Sequence, residues 1–141
     1  MNQVSTPEIL FIINPNAGGR KTKRLLNKLE NLKSKIDVQF TEYPKHAKQI
    51  VKSEFDNYET FVAVGGDGTV NEIASGLIGS KKKLAIYPGG SGNGFAREFG
   101  FGKSVKRLIN SIEKGKILKA DVIRLNGKSC FHFAGVGYDS A

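Results

Sequence analysis

The sequence predicts an α/β domain: a three-layer sandwich around a mostly parallel sheet, ending in a β-hairpin. Three observations predict it. Short runs of Ile, Val, Leu and Phe alternate with helix-period patterns along most of the chain. Three of those runs are followed at once by a cluster of glycines. The order β-α-β-α-β-α-β-α also requires crossover connections, which make successive strands parallel and set helices on both faces.

The elements follow in order. Ile9-Leu10-Phe11-Ile12-Ile13 reads as a buried strand. It is far short of the ~20 apolar residues a membrane-spanning helix needs. Leu25, Leu29, Leu32 and Ile36 recur at helix spacing, with Lys28, Lys33 and Lys35 elsewhere on the surface. Residues 38–41 form a second strand, and 46–55 a shorter helix after Pro44. Residues 60–64 form a third strand. Val70, Ile73, Ala74, Leu77 and Ile78 mark a helix that stops near Gly79. Residues 84–87 form a fourth strand, and Val105, Leu108, Ile109 and Ile112 a helix stopped by Gly115. At the end, 117–125, then Asn126-Gly127, then 130–134 read as a hairpin.

Composition narrows the class. The 141 residues suffice for one domain with its own core. Residues Met1 to Glu8 are polar, so no secretory signal is visible, and a cytoplasmic setting is expected. The lone Cys130 can make neither an internal disulfide nor a zinc site. His46 and His132 are isolated, and surface or strand-packing roles suit them better than metal ligation. Glycine numbers 17, a surplus over the roughly 7% of an average protein. Nine of the 17 fall in the three clusters.

In a parallel sheet all strand-to-helix loops emerge at one edge, where α/β folds bind ligands. There the first N–H groups of the helices and the positive ends of their dipoles favour phosphate, and glycine admits it close to the backbone. The first loop is Asn14-Pro15-Asn16-Ala17-Gly18-Gly19-Arg20. It is neither a Walker A loop nor a Gly-x-Gly-x-x-Gly fingerprint, and by itself it could be a turn with a helix start. The second is Gly65-Gly66-Asp67-Gly68-Thr69-Val70-Asn71-Glu72. A carboxylate set among glycines suits a general base or a magnesium-linked group at a phosphate site. The plainer alternative makes Asp67 or Thr69 a helix N-cap with Glu72 in support, but leaves the three glycines around Asp67 unexplained. The third is Pro88-Gly89-Gly90-Ser91-Gly92-Asn93-Gly94-Phe95-Ala96-Arg97, a phosphate loop or a flexible connection.

Together the loops resemble the catalytic domain of the diacylglycerol kinase family, which includes bacterial lipid kinases, sphingosine kinases and ceramide kinases. The resemblance rests on Asn14-Pro15-x-Ala17-Gly18, Gly65-Gly66-Asp67-Gly68-Thr69-x-Asn71-Glu72 and Pro88-x-Gly90-Ser91-Gly92-Asn93-x-Phe95-Ala96-Arg97. It implies the N-terminal domain of the NAD kinase/diacylglycerol kinase-like fold, and transfer of the ATP γ-phosphate to a lipid hydroxyl with Mg2+. It further implies that Asn14, Pro15, Asn16, Ala17, Gly18, Thr41, Ser91 and the run Gly66, Asp67, Gly68, Thr69, Val70, Asn71, Glu72 line the nucleotide site. Asp67 is then the central catalytic carboxylate. Asp121 matches a further family acid acting through water and magnesium, though an ordinary strand-end Asp fits it as well. Asp139 matches an acid near the lipid head group. One departure is Gly94, where bacterial diacylglycerol kinases commonly carry Asp, so the acceptor stays open between a diacylglycerol-like and a sphingoid lipid. The other is length. The family carries a second, β-rich domain on the lipid side, absent here, so residues 1–141 read as the nucleotide-binding catalytic domain of a longer enzyme.

The chain carries 22 basic against 13 acidic residues, a net charge of +9. Arg20, Lys21, Lys23, Arg24 and Lys28 crowd the first helix, with further clusters at Lys81-Lys82-Lys83 and at Lys103, Lys106 and Arg107. Each basic residue near an anionic membrane contributes ~1 kcal/mol of attraction. That suits a peripheral enzyme with a lipid substrate. A nucleic-acid partner is not expected, because no recognition helix or aromatic stacking pattern accompanies the charge. An NAD kinase-like enzyme and a non-catalytic basic binding module are the rival readings. A homo-oligomer is left open.

Overall fold

The computed structural model describes residues 8–17, 20–31, 36–89, 102, 104–114, 123–125 and 128–130. The elements are β1 (Ile9–Ile13), a 3-10 turn (Pro15–Ala17), α1 (Arg20–Glu30), β2 (Ile36–Phe40), α2 (His46–Glu54) and β3 (Thr60–Gly65). α3 (Asp67–Leu77), β4 (Lys83–Pro88), α4 (Val105–Glu113), β5 (Ile123–Leu125) and β6 (Lys128–Cys130) follow. β2, β1, β3 and β4 lie side by side in that order, all parallel. β5 and β6 form a separate antiparallel pair, with Leu125 opposite Lys128.

Strand alternation divides the core into two layers. Leu10 and Ile12 of β1 and Phe61 and Ala63 of β3 pack with Ile50 and Val51 of α2 and Val70, Ile73 and Leu77 of α3. Their neighbours Phe11, Ile13, Val62 and Val64 pack on the other side with Leu25 and Leu29 of α1 and Leu108 and Ile109 of α4. Helices therefore cover both faces, as the α/β reading requires. The central strands are apolar throughout because both of their faces are covered. Phe11 and Phe61 are fully buried, each worth about 1.5–3 kcal/mol of transfer free energy.

Three boundaries differ from the sequence expectation. Ile36 does not extend the α1 stripe; it opens β2 opposite Ile9. The helix ends at Glu30. Ile36 nevertheless packs against the same apolar layer as Leu25 and Leu29, and for that reason its spacing mimicked a helical turn. Second, α3 begins at Asp67, so the loop shrinks and Asp67 joins the first helical turn. Third, the second hairpin strand begins at Lys128, where polar side chains hid it. The Asn126-Gly127 turn, Gly115, Leu32 and His132 lie outside the described residues.

Candidate functional site

The parallel register brings the C-terminal ends of all four strands of the main sheet to one edge. Asn14 N–H donates to the Val64 carbonyl (2.9 Å), just past β1 and β3. Thr41 N–H donates to the Ile13 carbonyl (2.9 Å), so Thr41 stands one residue beyond β2 at the same edge. Gly89 N–H donates to the Gly65 carbonyl (3.4 Å), closing the row at β4. Asn14, Thr41 and the 65–72 loop are thus brought together, although no two of them are neighbours in sequence.

At the first loop, Asn14 Oδ1 accepts from Asn16 N–H (3.0 Å), and Pro15 opens the short 3-10 turn that includes Asn16 and Ala17. The turn leads toward α1. Gly18, Ser91, Asp121 and Asp139 lie outside the described residues, as does the third glycine loop beyond Gly89.

The second loop shows two kinds of glycine. Gly65 is required by packing: a Cβ there would lie 2.6 Å from Thr69 Oγ1 and 2.9 Å from Thr69 Cβ. Thr69 is itself buried, so its side chain is committed to this contact. Gly89 is similar, since its Cβ would sit 3.1 Å from the Gly65 amide nitrogen. Gly66 and Gly68 differ. Among the described residues a Cβ at either would meet nothing within 4 Å, and neither has the positive φ that favours glycine. Neither packing nor backbone geometry explains their missing side chains. Open space over the start of a helix does explain them, if a ligand is to approach the backbone.

Gly66 is the N-cap of α3, with extended backbone (φ −88°, ψ −170°) and no side-chain cap. The alternative in which Asp67 or Thr69 caps this helix is therefore set aside. Asp67 is the first helical residue, half-buried, at the end where the dipole favours negative charge. Val70 faces the core, and Asn71 is half-buried. Glu72 turns toward α2. Burial pushes its carboxyl above the usual carboxylate value, while the charges of Lys45 and His46 and the backbone amides of Lys45 and Lys48 pull the other way. Its Oε1 is shut off from solvent and has no hydrogen-bond partner among the described residues.

Sequence reasoning missed the cluster opposite Glu72. Glu42 N–H donates to His46 Nδ1 (2.9 Å), and the His46 ring stacks on Tyr43 with centroids 4.3 Å apart and planes 10° apart. Tyr43 OH donates to Gln49 Oε1 (2.6 Å). The only signal for it was that Pro44 and His46 open a helix directly after Thr41.

The open backbone above Gly66 and Gly68 fits a phosphate group. Among the described residues no three His, Cys, Asp or Glu side chains cluster as a metal cage. Magnesium, however, is commonly held by one or two carboxylates together with substrate phosphates, and Asp67 is a donor of that kind beside the open loop.

Residues 8–125 match the diacylglycerol kinase catalytic domain. The chain is similar to a protein of Enterobacter sp. (strain 638) named "Probable lipid kinase YegS-like", with 33% identity over 89% of this chain and 44% of the relative. It is also similar to sphingosine kinase B of Dictyostelium discoideum, 33% identical over 66% of this chain and 14% of that protein. The fold resembles the crystal structure of a diacylglycerol kinase from Bacillus anthracis str. Sterne. The TM-score is 0.72 at 25% identity, covering 90% of this chain and 46% of that one. The chain thus spans less than half the length of each.

Proposed function

We propose, from the premise that the chain belongs to the diacylglycerol kinase catalytic domain family, that it is the nucleotide-binding part of an enzyme transferring the γ-phosphate of ATP to a lipid hydroxyl. The observation that carries this reading is the pair Gly66 and Gly68, whose missing side chains leave open space among the described residues at the start of α3, with Asp67 between them. Membership in a kinase family implies ATP as donor. A second, β-rich domain would complete the lipid-side cleft.

In this reading the backbone of 66–69 receives phosphate oxygens, and Thr41 and the Asn14–Ala17 turn flank them. Asp67 would hold magnesium, which would supply positive charge to balance the phosphates. Asp67 stands where it can orient the acceptor hydroxyl and take its proton, or hold metal-bound water. Thr69 and Val70 support the loop from below through their packing, and Val70 N–H closes the first turn on the Gly66 carbonyl (3.2 Å). Ser91, Asp121 and Asp139 are proposed on family resemblance alone. Exposed Lys23, Arg24, Lys28, Lys106 and Arg107 would draw the enzyme to an anionic membrane surface holding its acceptor. No described helix is long and apolar enough to cross a membrane.

The test is transfer of labelled γ-phosphate from Mg-ATP by the full-length protein to diacylglycerol, sphingosine, ceramide and NAD in parallel. A labelled lipid is expected, and it names the acceptor. Label in NAD alone would overturn the lipid kinase reading.

A further inference from the structure

α2 begins without a cap of its own. Lys45 holds the N-cap position in the left-handed region (φ 69°, ψ 3°) and makes no side-chain capping bond. A non-glycine residue there is uncommon, and the first N–H groups of any helix lack intrahelical acceptors. The start of α2 therefore depends on side chains other than its N-cap.

Two groups meet it. His46 organises the preceding loop, accepting Glu42 N–H at Nδ1 and stacking on Tyr43. Glu72 arrives from α3. The two helices pack so closely at Gly76 that a Cβ there would lie 2.8 Å from Val51 Cγ1. Glu72 sits one turn before Gly76 on the same helix face, so this contact carries it to the first turn of α2. There it faces Lys45, His46 and the amides of Lys45 and Lys48. One of its oxygens is buried and unpartnered among the described residues, which costs stability. A carboxylate so placed is a poor choice for stability alone, and a good one for fixing a positively polarised helix start.

We propose that Glu72 is a positioning residue: from α3 it holds the start of α2, and with it the 41–45 loop bearing Thr41, in register with the glycine loop. This rests on the nucleotide reading of that loop. Glu72 then acts on the nucleotide through the 41–45 loop and does not touch it.

The experiment compares the wild type with Glu72→Gln, which keeps the shape and removes the charge. Three readouts are taken: thermal unfolding, amide hydrogen exchange over residues 42–49, and Mg-ATP affinity by calorimetry. The expected result is an unfolding midpoint equal or higher, faster exchange over 42–49, and affinity about fivefold weaker, the scale of one modest hydrogen bond. His46→Phe keeps the stack but loses the Nδ1 acceptor. It should give the same exchange pattern, and its affinity loss should not add to that of Glu72→Gln. Unchanged exchange over 42–49 in Glu72→Gln overturns the proposal, and a weaker affinity with that result would make Glu72 a direct nucleotide contact. Fully additive losses would overturn it too. If wild type fails to bind Mg-ATP, the nucleotide reading falls instead, and the exchange comparison still decides whether Glu72 holds the start of α2.

Discussion

The two ends of the parallel sheet are built on opposite principles. At the N-terminal end, side chains stitch the elements together. Tyr58 OH donates to Asp37 Oδ2 (2.5 Å), Lys82 pairs with Glu59 (3.3 Å), and the Lys82 ammonium lies 5.1 Å from the centre of the Phe55 ring. At the C-terminal end, the strand ends are tied to one another by backbone bonds, with a glycine, Gly66, as the N-cap of α3. One end has its polar groups closed on themselves. The other sets Gly66 and Gly68 at the start of a helix. On the proposed function, the contrast assigns stability and binding to different ends of one sheet, as ligand sites at strand C-termini allow.

The contrast can be broken in four places. The largest effect belongs to Asp67→Asn in the full-length enzyme, which should lower phosphoryl transfer by on the order of 10²-fold or more while costing no more than about 1 kcal/mol of stability, the loss of a charge at a helix start. Near-normal turnover would remove Asp67 from the chemistry. Next come the two kinds of glycine. Gly68→Ala should weaken nucleotide binding by about 1.5–3 kcal/mol, the loss of a backbone bond to a charged group. Its fold should hold or gain about 0.5–1 kcal/mol, since alanine suits a helix better. Gly65→Ala should instead destabilise the fold by about 1–3 kcal/mol, because its Cβ would collide with the buried Thr69 side chain. Urea unfolding and calorimetry on both variants separate the two, and equal behaviour would erase the distinction.

The smallest effect lies at the closed end. Tyr58→Phe should cost about 0.5–1.5 kcal/mol and leave nucleotide binding untouched. Burial, with the Asp37 carboxylate beside it, pushes the Tyr58 phenol from 10.0 up to about 12. Because the folded value is the higher one, the protonated phenol stabilises the fold. That contribution is complete below pH 10.0 and lost as pH rises through about 12. The gap between wild type and Tyr58→Phe in urea should therefore narrow at strongly alkaline pH. A gap independent of pH would sever the link.

Much of this was legible in the sequence, for local reasons. A strand buried on both faces must be apolar throughout, so 9–13 and 60–64 announced themselves, and the helices between them carried their period in Leu25, Leu29, Ile73 and Leu77. Gly66, Asp67 and Gly68 were readable as a site because glycines around a carboxylate have no simple packing meaning. Ile36 was misread because an apolar residue contacting the α1 layer has the same spacing whether it arrives by helix or by strand. The Glu72–His46 relation was unreadable, because residues 42–49 and 72 share no local pattern.

What the sequence by itself determined is the alternation of elements, the family, and the loop on which phosphate chemistry would rest. These follow from side-chain periodicity and from residue types with few other uses. Only the tertiary structure decided that Gly65 serves packing while Gly66 and Gly68 serve open space, and that Glu72 faces α2. The first distinction depends on how β3 turns into α3 and folds Thr69 back over Gly65, the second on the close crossing of α2 and α3 at Gly76, and both are distances that exist only once these elements have packed.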